Sequence, residues 1–184
     1  MPGYVAFLRG MNVGGHRLSN DELRSHFQTL GFAAVATFRA SGNVVFAHPA
    51  ADAAGAGHEP KARIEAGLEQ ALGYAVPTFI RSFAQVRAIA AAQPFPAERV
   101  RCAGGKLQVS LLAAPPTRRA RAAVLSMAGE EDALAFGARE LYWLPSGGLL
   151  ESALDVDAID RLLGASTRRT MGTIELIAGR HCNE

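Results

Sequence analysis

Tyr4-Val5-Ala6-Phe7-Leu8-Arg9-Gly10-Met11-Asn12-Val13-Gly14-Gly15 is the stretch from which the rest of the chain is read. Its first five residues are apolar without helical spacing, which predicts a buried strand. A glycine-rich loop follows. Ser19 and Glu22 then stand three apart, as the N-cap and N3 residues of a capping box do. Leu23, Phe27 and Leu30 put one apolar stripe on the helix so begun, and Gly31 ends it.

Working outward, Val35 to Ala40 reads as a second strand, Ser41-Gly42-Asn43 as a turn, and Val44-Val45-Phe46 as a third strand closing a hairpin. Residues 47–57 form a small-residue loop. Glu59 to Leu72 is helical, with Ile64, Leu68 and Leu72 at four-residue spacing and Gly73 as the stop. Val76 to Arg81 is a fourth strand. The order β-α-β-β-α-β over residues 4–81 is that of a ferredoxin-like module. Ser82 and Gln85 form another capping box, opening a helix to about Ala92, where Pro94 and Pro96 break it.

The order then partly repeats. Lys106 to Leu112 is a strand, and Pro115-Pro116-Thr117 starts a helix through Met127. Ala133–Phe136 and Glu140–Leu144 pair as a hairpin, and Asp155–Leu163 and Thr170–Ala178 are helical. The expected fold is α+β, two ferredoxin-like (alpha-beta plait) modules in tandem. Their expected bounds are 1–82, a helical connector over 83–103, and 104–184 with an extra terminal helix. Residues 4–8 and 44–46 do not alternate polar with apolar, so both faces of the sheet are expected to be covered, by the second module or by another subunit.

Composition narrows the function classes. The 184 residues are 49% hydrophobic and 20% charged, which suits a packed globular chain rather than a disordered one. No apolar run reaches the ~18 residues of a membrane span, and the first residues lack the basic start of a signal peptide. Two cysteines cannot make a disulfide scaffold, so the expected location is cytoplasmic. Of the 19 basic residues 17 are arginine, beside Lys61 and Lys106, and the net charge is +2. The second half is polarised: six basic residues and no acid from Arg99 to Arg121, then eight acids from Glu130 to Asp160.

Gly10 to Gly15 has the G-x-x-x-x-G spacing of a phosphate-binding loop, but His16 and Arg17 follow where Lys and Ser/Thr are needed. That excludes an ATPase of this type. An anion still suits exposed backbone N–H groups beside Arg9, His16 and Arg17. The same residues also suit a tight strand-to-helix connection whose glycines take positive φ. Phe7 and Phe46 lack the basic-Gly-aromatic setting of an RNA-recognition strand and read as core. The two cysteines and five histidines show no metal-ligand spacing, and no catalytic signature occurs. His181-Cys182 reads as a frayed end, and Glu130-Glu131-Asp132 as a solvated turn. Thr167-Arg168-Arg169-Thr170 precedes the last predicted helix, where two arginines oppose the helix dipole unless the acidic 151–160 segment or an anion compensates.

Leu8-Arg9-Gly10-Met11-Asn12-Val13-Gly14-Gly15, Leu30-Gly31-Phe32 and Ser41-Gly42-Asn43-Val44-Val45-Phe46, with the later Thr-Arg segment, resemble the bacterial family known as domain of unknown function 1697. The resemblance spans essentially the whole chain. It implies two ferredoxin-like modules and no established activity. The matching positions are Arg9, Asn12, Gly14, Gly15, Ser41, Gly42, Asn43, Thr167 and Arg168. Family members follow Thr-Arg with Asn and an aromatic. Here Arg169, Thr170 and Met171 follow, so no role of that aromatic carries over.

These nine residues are the candidate ligand-binding set, for a small anionic or nucleotide-like ligand near the Gly10–Gly15 loop. Arg9 would supply charge, Asn12 and Asn43 directional hydrogen bonds, and the glycines backbone donors. The alternatives are a nucleic-acid-binding module using the Arg99–Arg121 stretch, and an assembly protein forming a homodimer through its sheet face. No catalytic residue, metal ligand, cofactor or membrane partner is expected.

Overall fold

The computed structural model describes residues 1–11, 18–39, 42–48, 58–129, 131–149 and 152–182. Asn12, Gly14, Gly15 and Ser41 lie outside them. The chain is α+β, with two four-stranded antiparallel sheets and seven helices among the described residues. It divides into two compact units, Met1–Arg87 with the C-terminal residues from Ile177, and Ala88–Leu176.

In the first unit β1 (Gly3–Leu8), α1 (Asn20–Thr29), β2 (Ala33–Thr37), β3 (Asn43–Ala47), α2 (His58–Leu72) and β4 (Thr78–Ser82) follow in turn, and α3 (Phe83–Ala90) begins. The strands lie in the order β2-β3-β1-β4, every pairing antiparallel. Ser19 caps α1: its Oγ accepts from Glu22 N at 3.2 Å, and the Glu22 carboxylate accepts from Ser19 N at 2.8 Å. The Ser19 N–H and the Ser19 hydroxyl, which donates to the same carboxylate at 2.7 Å, hold the Glu22 carboxyl below its usual range, with a smaller push from His26. The box at Ser82 and Gln85 also forms, Ser82 N donating to Gln85 Oε1 at 3.0 Å and Gln85 N to Ser82 Oγ at 3.2 Å.

Register decides which side chains meet. Tyr4 lies opposite Phe46 and Ala6 opposite Val44, so these four share the face that α1 and α2 cover with Leu23, Phe27, Ile64 and Leu68. Four aromatic rings lock there: Phe32 meets Phe46 edge-on at 4.8 Å between centroids, and Tyr4 and Phe27 lie 5.7 Å from it. Burying each such side chain contributes about 1.5–3 kcal/mol. On the other face Val5, Phe7, Val45 and Phe79 are buried too.

The second unit holds α4 (Ala97–Cys102), β5 (Gln108–Leu112), α5 (Arg118–Leu125), β6 (Asp132–Phe136), β7 (Glu140–Pro145), α6 (Val156–Leu163) and β8 (Ser166–Thr170). Its sheet runs β6-β7-β5-β8. Val124 and Ile159, from the two longer helices, pack on Leu141, with Leu134 and Phe136 beside them. The two sheets thus share one strand order, and β8 completes a second β-α-β-β-α-β run.

The last strand corrects the sequence reading. Residues 166–170 were expected to lead into a helix starting at Thr170; they are an edge strand paired along β5 from Ser166↔Leu112 to Thr170↔Gln108. The last helix, α7 (Met171–His181), starts only after it. The two arginines therefore do not sit at a helix N-terminus, and the dipole conflict does not arise. The short helix α4 was not foreseen: its six residues bury nothing and carry no apolar stripe.

The frayed-end expectation for His181-Cys182 also fails. Cys182 is fully buried, its N–H donates to Ala178 O at 3.1 Å, and Arg87 Nη1 donates to its carbonyl at 2.7 Å. Burial pushes the Cys182 thiol up to about 11, against the opposite pull of Arg87. Cys102 is exposed. A thiol reagent at pH 8 is expected to label Cys102 promptly and Cys182 only on unfolding. Because the folded thiol ionises later than the unfolded one, stability from this group is full below pH 9 and is lost as pH rises through about 11. Phe46→Ala, which removes the hub of the aromatic cluster, is expected to cost about 3–5 kcal/mol in urea denaturation.

Candidate functional site

β1 leaves the core abruptly. Leu8 is buried, whereas Arg9 and Gly10 are exposed. Backbone bonds finish the pairing on both sides: Leu8 N donates to Gly42 O at 2.8 Å and Arg9 N to Pro77 O at 2.9 Å. Gly10 then turns the chain with φ +74. Met11 goes back inside, and its carbonyl accepts from the Tyr74 hydroxyl at 3.0 Å. The turn that carries Arg9 is thus held from β3, from the segment before β4 and from Tyr74.

The β2–β3 turn lies at the same end of the sheet. Gly42 has φ +67, and a Cβ there would come 3.0 Å from Leu8 Cβ, so conformation and space both favour glycine. Asn43 is fully buried; its Nδ2 donates to Phe38 O at 3.0 Å, and Phe38 N donates to Asn43 O at 2.9 Å. The amide expected to face a ligand braces the hairpin instead. Arg39, which sequence reading left inside a strand, stands in this turn at φ +56, exposed, with Cζ 5.7 Å from the Phe38 ring centroid. Its signal in the sequence was position alone, next to Ser41-Gly42-Asn43. Glu65 of α2 accepts from Thr78 N at 2.8 Å and pairs with Lys61 at 3.7 Å, so this carboxylate is already committed.

Thr167 and Arg168 lie in the second unit, on β8. Thr167 is buried. The Arg168 Nε donates to Ser110 Oγ at 3.2 Å, and its Cζ lies 5.0 Å over the Trp143 ring. Trp143 Nε1 in turn donates to Asp132 Oδ1, and Ser152 Oγ to Asp132 Oδ2, both at 2.7 Å. Asp132 is therefore buried and bonded rather than part of a solvated turn. Arg169 Nη1 donates to Thr167 Oγ1 at 2.9 Å and to Arg168 O at 2.7 Å; burial brings its pKa down to about 10, which leaves it charged at neutral pH. The described candidates thus form two groups, Arg9, Gly42 and Asn43 in one unit and Thr167 and Arg168 in the other.

The basic stretch from Arg99 to Arg121 is split. Arg99 and Arg101 are exposed on α4, Arg118 and Arg119 on α5, and the fully buried β5 lies between them in the chain. Arg121 is half-buried, stacked 5.1 Å from the Phe136 ring and donating to the Gly137 carbonyl. Among the described residues no group of three or more His, Cys, Asp or Glu could hold a metal ion, and no helix is long and apolar enough to cross a membrane.

If Asn43 is a brace, Asn43→Ala is expected to cost about 1–3 kcal/mol of stability in urea, because it leaves a backbone carbonyl short of its donor. Asn43→Asp, which keeps the shape without the N–H, is expected to lose a similar amount.

The comparison with curated proteins finds no match. A solved structure, that of the conserved bacterial protein SP0830 from Streptococcus pneumoniae, is similar with a TM-score of 0.72 at 21% identity, covering 97% of each chain. At that identity the likeness speaks to the fold alone. The family described as a protein of unknown function (DUF1697) matches residues 1–142, a span that holds Arg9, Gly42 and Asn43 but not Thr167 and Arg168, and the chain belongs to that family.

Proposed function

We propose that the protein binds a small anionic or nucleotide-like ligand at the end of the first sheet that carries Arg9 and Arg39, on a frame of two ferredoxin-like modules. The observation that carries this reading is the exposure of both guanidinium groups on turns fixed by backbone hydrogen bonds to strand ends. Exposed guanidinium groups on fixed turns can meet phosphate or carboxylate oxygens bidentately. In this reading Asn12, Gly14, Gly15 and Ser41 supply further donors from the two adjoining loops. Asn43 and Gly42 shape the site without touching the ligand.

The modular frame is supported by the order β-α-β-β-α-β in each unit and by the matching strand orders. Thr167 and Arg168 lie on β8 of the second unit, where Arg168 is engaged by Ser110 and Trp143, so this reading does not draw on them. A reducing, cytoplasmic setting goes with two unbridged cysteines.

The test is a thermal-shift and calorimetric titration with pyrophosphate and ATP on the wild type, Arg9→Ala and Arg39→Ala. One charge-assisted hydrogen bond contributes about 1.5–3 kcal/mol, so each variant is expected to bind about 10–100-fold more weakly. Equal shifts in all three proteins would remove the arginines from the site.

A further inference from the structure

The face of the first sheet turned away from α1 and α2 carries a cavity of about 580 Å³. That volume is in the range of small-molecule sites. Its floor comes from β2 and β3, where Ala36 pairs with Val45 and Ala33 with Ala47. The β2–β3 register slips between Ala33 and Ala36, and Ala34 there has φ +48, so the edge strand bends away from an even ladder.

One wall is aromatic. The Phe83 ring lies so close to Gly3 that a Cβ on that glycine would come within 2.1 Å of it. The ring is therefore laid against the Gly3 backbone, and it lines the cavity. The remaining wall is basic: the Arg180 guanidinium and the His181 ring, from the last turn of α7. No acidic residue lines the cavity among the described residues.

The basic wall stands on a fixed support. Arg180 Cζ lies 5.6 Å from the Phe38 ring centroid, and the His181 ring meets the same phenyl edge-on at 6.1 Å. Directly beyond, Cys182 is buried and its carbonyl is held by Arg87. A helix C-terminus also favours a basic side chain, which suits the position of Arg180 in the last turn of α7.

We infer that this cavity is a second binding site, selective for a small aromatic carboxylate. The ring would lie against Phe83 and the alanine floor, and the carboxylate would meet the Arg180 guanidinium, with His181 beside it. Arginine is suited to this because its fork matches a carboxylate bidentately. A neutral apolar molecule would fill the same volume but leave the guanidinium without a counter-charge. A highly charged phosphate ester would place too much polar surface on the alanine and phenylalanine walls. The site begins near Gly3, at the start of β1, whereas Arg9 stands beyond the end of that strand. It therefore does not depend on the anion site proposed above.

The experiment is calorimetric titration of the whole chain with 2-naphthoate and with the neutral 2-naphthamide, with folding checked by circular dichroism. The expected result is naphthoate binding in the wild type, at least about tenfold tighter than the amide, and about tenfold weaker in Arg180→Gln. Ala36→Leu, which fills the floor, is expected to abolish binding. Arg9→Ala is expected to leave it unchanged, which separates this site from the other. Absence of naphthoate binding to the wild type at millimolar concentration overturns the inference. So does equal affinity in Arg180→Gln, or a loss of binding in Arg9→Ala. Arg180→Gln changes an exposed side chain, so its result stands even if Ala36→Leu does not fold.

Discussion

A strand buried on both faces has to hand over all its polar backbone groups before it reaches water, and β1 does so within one residue. Tyr4 to Leu8 are at most 7% exposed, whereas Arg9 is open to solvent. An orphaned buried N–H costs about 1–3 kcal/mol, so the exit must be stitched from both neighbours. Gly42 O takes the Leu8 N–H and Pro77 O takes the Arg9 N–H. The stitching fixes where the hairpin turn and the segment before β4 end. It also fits the left-handed glycines: Gly10 turns the chain with φ +74, and Gly42 turns it where a Cβ would come 3.0 Å from Leu8 Cβ. The exposed cation at this rim is thus a consequence of how the core closes.

The second unit solves the same problem with different chemistry. Its central strand β5 is as buried as β1, but the strand on its outer side reads Ser-Thr-Arg-Arg-Thr. The first sheet is held by an aromatic cluster around Phe46. The second is held partly by a polar chain that runs from Ser152 through Asp132 to Trp143 and, across its ring, to Arg168 and Ser110. A buried carboxylate of this kind is tolerated because both of its oxygens accept a hydrogen bond. The arginines of the second sheet are spent on structure, and those at the rim of the first are not buried.

What the sequence revealed follows the range of the interactions involved. Both capping boxes were legible because Ser19 with Glu22, and Ser82 with Gln85, act over three residues. The order of the first six elements was legible because apolar periodicity sets it. β8 was not, because nothing local marks Ser166 to Thr170 as a strand. Its stability comes from pairing with β5 and from the Trp143 ring, both far away in sequence. The buried tail at Cys182 was hidden for the same reason, since its carbonyl is held by Arg87, 95 residues away. At the candidate site, Arg9 and the glycines stood out by motif. The buried hydrogen bond of Asn43 and the exposure of Arg39 were not legible, because they depend on which side of the hairpin each side chain takes.

The arginine-rich composition gains a physical reading from these contacts. Among the described residues, guanidinium groups lie 5.0–5.7 Å from aromatic centroids: Arg39 and Arg180 on Phe38, Arg63 on Phe32, Arg121 on Phe136, and Arg168 on Trp143. A lysine ammonium cannot stack flat in this way, so arginine is favoured at these positions whatever set the overall ratio. With its central carbon over the ring, a guanidinium still has N–H groups for hydrogen bonds. In the second unit these donate to Ser110 and Gly137. Around Phe38, two exposed arginines from different elements share one ring. Phe38 thus anchors one guanidinium from the hairpin turn and one from the end of α7.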